Sequence, residues 1–183
     1  NESSAALSSN KIVRILQYFK SVPGERSHME GPFVIIGGDA AGMSAASKAR
    51  RDDPDRDVLV FEKGEWVSYG ACGLPYYVKG DVETLADLVS VTPEAFVEER
   101  GIDLRTHHEV TAIDRERRTV TVEGPDGEFE QEYADLLIAT RAHAVVPPFD
   151  GMDLDGVFTL HDMNAAAAIR GYLGLDAPSA SLP

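Results

Sequence analysis

The 183-residue chain has a single cysteine, Cys72, so it cannot form an internal disulfide framework, and a lone thiol fits a reducing, cytoplasmic compartment. It lacks any apolar run approaching the ~20 residues that span a bilayer, which argues against a membrane protein. It is also short of positive charge. Seventeen Lys and Arg stand against 31 Asp and Glu, and a net charge of −14 repels phosphate backbones and anionic lipid surfaces, so neither nucleic acid nor membrane is an expected partner. There is no internal repeat. With 43% hydrophobic residues, the chain reads as one soluble globular unit plus tails.

The acids are spread through the sequence, at Asp52, Asp53, Asp55 and Asp57 and at Glu98, Glu99 and Asp103, in the manner of a solvated acidic surface. Residues 1–30 read as a leader, either disordered or carrying a short helix. Asn1 to Asn10 are rich in Ser and Ala without a secretory pattern, whereas Ile12, Val13, Ile15, Leu16 and Phe19 fall at helical spacing between Lys11 and Val22. Met29, just ahead of the first strand, is a candidate natural start. At the other end, a helix is expected over Met163 to Leu173, followed by a tail with too little apolar surface to order itself. The organisation expected is a leader over 1–30, the main domain over 31–150, and a linker helix and tail over 151–183.

Phe33 to Ile36 is a short apolar, β-branched run leading into Gly37-Gly38-Asp39-Ala40-Ala41-Gly42 and then the small-residue series Met43 to Arg51: strand, glycine turn, helix. Asp52-Asp53-Pro54 ends the helix, and Val58 to Phe61 is a second buried strand closing at Glu62. Thr92-Pro93-Glu94 supplies an N-cap, a first-turn proline and an acid for a helix running to Arg100 and stopping at Gly101. From Glu109 to Tyr133 the pattern alternates, with Val110, Ala112, Ile113, Val120, Val122 and Phe129 separated by charged and Gly-Pro-Asp-Gly turns, which predicts a three-stranded antiparallel meander. Leu136 to Ala139 is another short buried strand, and Pro147, Pro148 and Gly151 mark an exit from the domain.

Glycines after a strand let the backbone turn sharply and approach a pyrophosphate held by the N–H groups of the next helix. Gly37 and Gly42 have the first and third spacing of that fingerprint, but Asp39 takes its middle position and the extra glycine falls at Gly38, so a merely structural turn is the alternative. Glu62, 20 residues beyond Gly42, stands where a carboxylate accepts hydrogen bonds from an adenosine ribose. A lone cysteine such as Cys72 is, by itself, more often an inert core residue than a nucleophile.

The segment Ser68-Tyr69-Gly70-Ala71-Cys72-Gly73-Leu74-Pro75-Tyr76-Tyr77 resembles the active-site loop of coenzyme A-disulfide reductases and the related NADH oxidases, FAD-dependent pyridine nucleotide-disulfide oxidoreductases. The likeness extends through Gly37 to Arg51, Phe61-Glu62-Lys63, Thr92-Pro93-Glu94, His108-Glu109-Val110 and Leu137 to Thr140. It implies an α/β fold, a Rossmann-like FAD-binding domain with an antiparallel meander, and an enzyme passing electrons from NAD(P)H through FAD and Cys72 to a disulfide, oxygen or peroxide. The second cysteine of most flavin disulfide reductases is replaced by Tyr77, so Cys72 works alone. By resemblance, Gly37, Gly38, Asp39, Ala40, Ala41, Gly42, Glu62, Lys63, Val110 and Thr140 contact FAD, while Ser44, Lys48, Arg51 and Ser68 contact a coenzyme A-type thiol or disulfide substrate. No metal is implied, and the family assembles as homodimers.

Two positions depart from the family pattern. Ala71 stands where some relatives carry Asn, and Arg141 replaces the glycine of the Ala-Thr-Gly-Ala turn that passes the flavin, so strain and crowding are expected there. The second glycine-rich NAD(P)H domain, the returning segment and the dimerisation domain of the family do not follow Leu173, which implies an N-terminal fragment. The alternatives to an enzyme are a truncated, non-catalytic FAD- or nucleotide-binding remnant and an interaction module with no ligand.

Overall fold

The computed structural model of the protein describes residues 31–175. The helix expected between Lys11 and Val22 lies outside the described residues. Within them the chain runs β1 (Phe33–Ile36), α1 (Ala40–Asp52), β2 (Val58–Phe61), α2 (Leu74–Lys79), α3 (Pro93–Glu98), β3 (Asp103–Arg105), β4 (Glu109–Asp114), β5 (Thr119–Gly124), β6 (Gly127–Glu132), β7 (Asp135–Ile138) and α4 (Met163–Tyr172). Short 3₁₀ turns stand at Ala71–Gly73 and Leu85–Leu88. Strands β1, β2, β3 and β7 form a parallel sheet in the order β3-β2-β1-β7, and β4-β5-β6 form a separate antiparallel sheet.

Strands β1 and β2 are apolar at every position because both faces of the sheet are covered there, whereas the flanking β3 and β7 each carry Asp. Ile35, Val58 and Val60 point to one side, where Met43 and Ala46 of α1 pack with Phe96 of α3 and Ile102. Val34, Ile36, Leu59 and Phe61 point to the other and meet Val120 and Val122 of the meander, with Val110, Phe129, Tyr133 and Leu136 at its margin. The result is three layers, helices on sheet on meander. A further cluster joins Trp66, Tyr69, Leu74, Tyr77 and Leu85 to Met163 and Ala166 of α4.

The expected Rossmann-like fold and meander are both present, with boundaries moved by local chemistry. Helix α1 begins at Ala40 rather than Met43, because Asp39 is already its N-cap and Gly42 is a helical residue within the turn. Helix α3 ends at Glu98 rather than Arg100; its Thr92 side chain accepts from Ala95 N–H, as the cap motif requires. Strand β7 runs from Asp135 to Ile138, one residue earlier than expected. Strand β3 was not anticipated: it is Asp-Leu-Arg, with little apolar pattern, and forms by parallel pairing with Leu59–Phe61.

Candidate functional site

In the parallel sheet the chain moves outward from β1 to β2 and β3 and then returns on the other side of β1 as β7. A crevice therefore opens beyond the carboxyl ends of β1 and β7, at the point where the strand order reverses. Gly37, directly after β1, has φ +110°, and a Cβ there would lie 2.3 Å from the carbonyl oxygen of Ala139 at the end of β7. A Cβ on Gly42 would lie 1.8 Å from the carbonyl oxygen of Gly37. Only hydrogen at both positions lets helix, turn and returning strand meet.

Glu62 fixes the other wall. Its side chain is buried, Gly38 N–H donates to its Oε2 at 2.7 Å, and Gly64 N–H donates to its Oε1 at 2.9 Å. The carboxylate thus ties the glycine turn to the end of β2 while keeping acceptor capacity for another donor. Around it lies a cleft of about 270 Å³ lined by Gly37, Glu62, Lys63, Glu109, Val110 and Thr140, with His108, His143, His161 and Asp162 at its rim. The His108 Nδ1 lies 2.7 Å from the Thr106 carbonyl oxygen, and its ring packs edge-on against Phe129.

A second cavity of about 350 Å³ flanks α1. It is lined by Ala40, Ser44, Ser47 and Arg51 of that helix, by Ser68 and Tyr69 of the cysteine loop, and by Ser90, Phe96 and Arg100. Arg100 donates to Ser47 Oγ at 2.9 Å and lies over the Phe96 ring, so its guanidinium is held against the cavity wall. The loop itself is clamped to the glycine turn: Ser68 N–H donates to the Gly38 carbonyl, Ser90 N–H to that of Ser68, and Gly70 N–H to that of Leu88. Cys72 follows on the Ala71–Gly73 turn, where its thiol is exposed.

Arg141 lines the first cavity and there meets Asp39, the N-cap of α1. Asp39 makes no side-chain capping bond, and its Oδ1 is buried without a hydrogen-bond partner. Arg141 adopts φ +63°, a left-handed backbone costly for a bulky residue, and its guanidinium reaches the Tyr69 hydroxyl and lies 3.5 Å from Asp39 Oδ2. Burial pushes the Tyr69 phenol above its ordinary value, with the Arg141 hydrogen bond opposing and the Asp39 and Asp162 carboxylates adding to the rise. Burial works against the Arg141 charge, but Tyr69, Asp39 and Glu62 outweigh it and raise that pKa.

Comparison with known proteins agrees with this architecture. The family profile described as pyridine nucleotide-disulphide oxidoreductase matches residues 31–173. The chain belongs to that family. It is 46% identical over 140 residues to an NAD(P)H sulfur oxidoreductase (CoA-dependent) of Pyrococcus abyssi, covering 76% of this chain and 31% of that protein. It is 35% identical over 142 residues to a coenzyme A disulfide reductase of Staphylococcus haemolyticus, covering 76% and 32%. Among solved structures, an NAD-dependent persulfide reductase from A. fulgidus superimposes with a TM-score of 0.70 at 42% identity, over 75% of this chain and 27% of that one. The chain thus spans about a third of the length of the curated relatives it matches. The family is one of FAD-binding enzymes that take electrons from NAD(P)H.

Of the residues expected to face the family's flavin, Gly37, Glu62, Lys63, Val110 and Thr140 line the first cleft. Gly38, Asp39, Ala41 and Gly42 build the turn and first helical turn behind it, and Ala40 instead faces the second cavity. Ser44, Arg51 and Ser68 come together in that second cavity, while Lys48 is exposed and ion-paired with Asp52. Sequence reasoning missed Arg100, Ser47 and Ser90 there. Arg100, a single cation after Glu98-Glu99, was the only available signal, and it read as a helix end. The glycine turn, the close approach at Gly37 and the anchored Glu62 carboxylate fit the adenosine diphosphate part of FAD, and the cleft volume suits part of a dinucleotide rather than all of it.

Proposed function

We propose that the chain is the flavin-binding portion of an NAD(P)H-dependent oxidoreductase that reduces a small disulfide of the coenzyme A class through a single cysteine. The observation that carries this reading is the adjacency of two sites on one helix. The dinucleotide turn is at the N-terminus of α1, and the Ser44, Arg51, Ser68 and Arg100 cavity lies along its flank, joined through the cysteine loop. When bound, FAD supplies the two-electron relay between a pyridine nucleotide and the thiol side.

The chain's own residues divide the remaining work. Arg51 and Arg100 offer bidentate donors to the phosphates of a coenzyme A-type substrate, and Ser44, Ser68 and Ser90 offer hydroxyls to its polar arm. The exposed Cys72, as thiolate, attacks one sulfur of the disulfide: a bond forms between Cys72 Sγ and that sulfur, the substrate S–S bond breaks, and one thiolate leaves. Two electrons originating on NAD(P)H then cleave the mixed disulfide, releasing the second thiol and restoring Cys72. With Tyr77 buried where a second thiol would be required, Cys72 has no internal partner.

A second reading is a nucleotide-binding unit without turnover, favoured by Arg141 in a left-handed backbone where the family carries glycine. Intact-mass measurement separates the two. The chain is incubated with coenzyme A disulfide or with glutathione disulfide, and the adduct on Cys72 is followed in time. The expected result is faster adduct formation with coenzyme A disulfide, a preference that Arg51→Ala removes without altering the glutathione rate. Equal rates with both disulfides would contradict the substrate class.

A further inference from the structure

Asp39, a departure from the glycine fingerprint, and Arg141, a departure from the Ala-Thr-Gly-Ala turn, meet in space although they lie far apart in sequence. Asp39 occupies the middle position of Gly37-x-x-x-x-Gly42, which the fingerprint gives to a glycine so that a pyrophosphate can approach the backbone. It puts a carboxylate at the N-cap of the 13-residue helix α1, with the side chain 14% exposed, no capping bond and Oδ1 unpartnered. An uncompensated anion there opposes a diphosphate directly. The guanidinium 3.5 Å from Asp39 Oδ2 comes from Arg141, after β7, and is anchored by the Tyr69 hydroxyl and the Tyr69 ring, 5.3 Å from its centroid. Among the further charged groups, the Glu62 carboxylate acts on Arg141, the Asp162 carboxylate acts on Tyr69, and Lys63 and Glu109 line the first cleft with Arg141.

We propose that Arg141 is the counter-charge to Asp39, positioned by Tyr69, and that this pair replaces the fingerprint glycine by charge neutralisation, leaving the N-terminus of α1 open to the diphosphate of a dinucleotide. The proposal rests on the dinucleotide reading above. It gives a reason for a bulky side chain in a left-handed backbone: strain at Arg141 is retained because the arginine offsets the aspartate. The two residues act as one unit, so neither is neutral to replace alone.

The test is calorimetric titration of the full chain with FAD, ADP and adenosine. The proteins compared are the starting chain, Arg141→Gly, Asp39→Asn and the double variant. Glycine suits φ +63°, so Arg141→Gly folds, which circular dichroism and the urea midpoint verify. Arg141→Gly is expected to weaken FAD and ADP by about tenfold or more while leaving adenosine, which has no phosphate, within about twofold. Asp39→Asn alone tightens ADP, and the double variant returns to within about threefold of the starting chain.

Unchanged or tighter ADP binding by Arg141→Gly would overturn the proposal. A double variant as weak as Arg141→Gly would overturn it too, because Arg141 would then act without reference to Asp39. Failure of the starting chain to bind FAD, ADP or adenosine would instead sink the dinucleotide reading and the pair with it.

Discussion

The two cavities share helix α1 but are made of different material. The first is built from main chain: Gly37 and Gly42 pass within contact of other backbone atoms, and Glu62 is bonded to two backbone N–H groups. The second is built from side chains brought by separate segments, Ser44 and Arg51 from α1, Ser68 and Tyr69 from the cysteine loop, Ser90 and Arg100 from either side of α3. A backbone-built site has no slack, since any added atom displaces a strand or a helix. A side-chain-built site tolerates truncation structurally and loses ligand instead.

The largest effect that would break this contrast is at Gly42. Gly42→Ala places a Cβ 1.8 Å from the Gly37 carbonyl oxygen and is expected to cost about 3–5 kcal/mol, read from urea unfolding. A loss below about 1 kcal/mol would show that the turn relaxes and that the first site is not rigid. Glu62→Gln comes next. It replaces one carboxylate oxygen with an NH₂ that faces either the Gly38 or the Gly64 N–H, so about 1–3 kcal/mol is expected, with weaker adenosine binding in the same titration. Stability unchanged by this substitution would mean the carboxylate serves a ligand alone.

Tyr69 lines the second cavity and accepts a hydrogen bond from Arg141 of the first, and it gives the contrast a pH signature. Its folded-state pKa is raised, first by burial, so the folded chain holds the phenolic proton more tightly than the unfolded chain does. That contribution is fully present below the ordinary tyrosine pKa of about 10 and is lost as pH rises through the higher folded value. Tyr69→Phe is therefore expected to flatten the fall in unfolding free energy on the alkaline side; an unchanged slope would show that the phenol ionises freely. The smallest effect is expected at Lys48. Its ion pair with Asp52 is solvent-exposed, so Lys48→Ala changes stability by about 0.5 kcal/mol or less and leaves flavin binding alone.

The same division explains what could be read from the sequence. Phe33–Ile36, the glycines and Glu62 were legible because each local pattern carries its own geometry, and the Thr92-Pro93-Glu94 cap and the Val120/Val122 alternation were legible for the same reason. Strand β3 was not, because only Leu104 of its three residues is apolar and pairing with β2 makes it a strand. Nor was the second cavity beyond the residues suggested by family likeness, since Ser47, Ser90 and Arg100 become neighbours only when α3 packs beside α1. Arg141 stood out as a departure, but its partner did not: Asp39 and Arg141 meet only through the parallel pairing of β1 with β7.

We propose that the glycine turn, Glu62 and the first cleft form a working dinucleotide site in this chain. Titrating FAD with the purified chain while recording visible absorption and flavin fluorescence tests this most directly. Shifted, resolved flavin bands and saturable quenching that excess ADP reverses are expected. Flavin that keeps its free spectrum and full fluorescence in the presence of excess folded chain would contradict it.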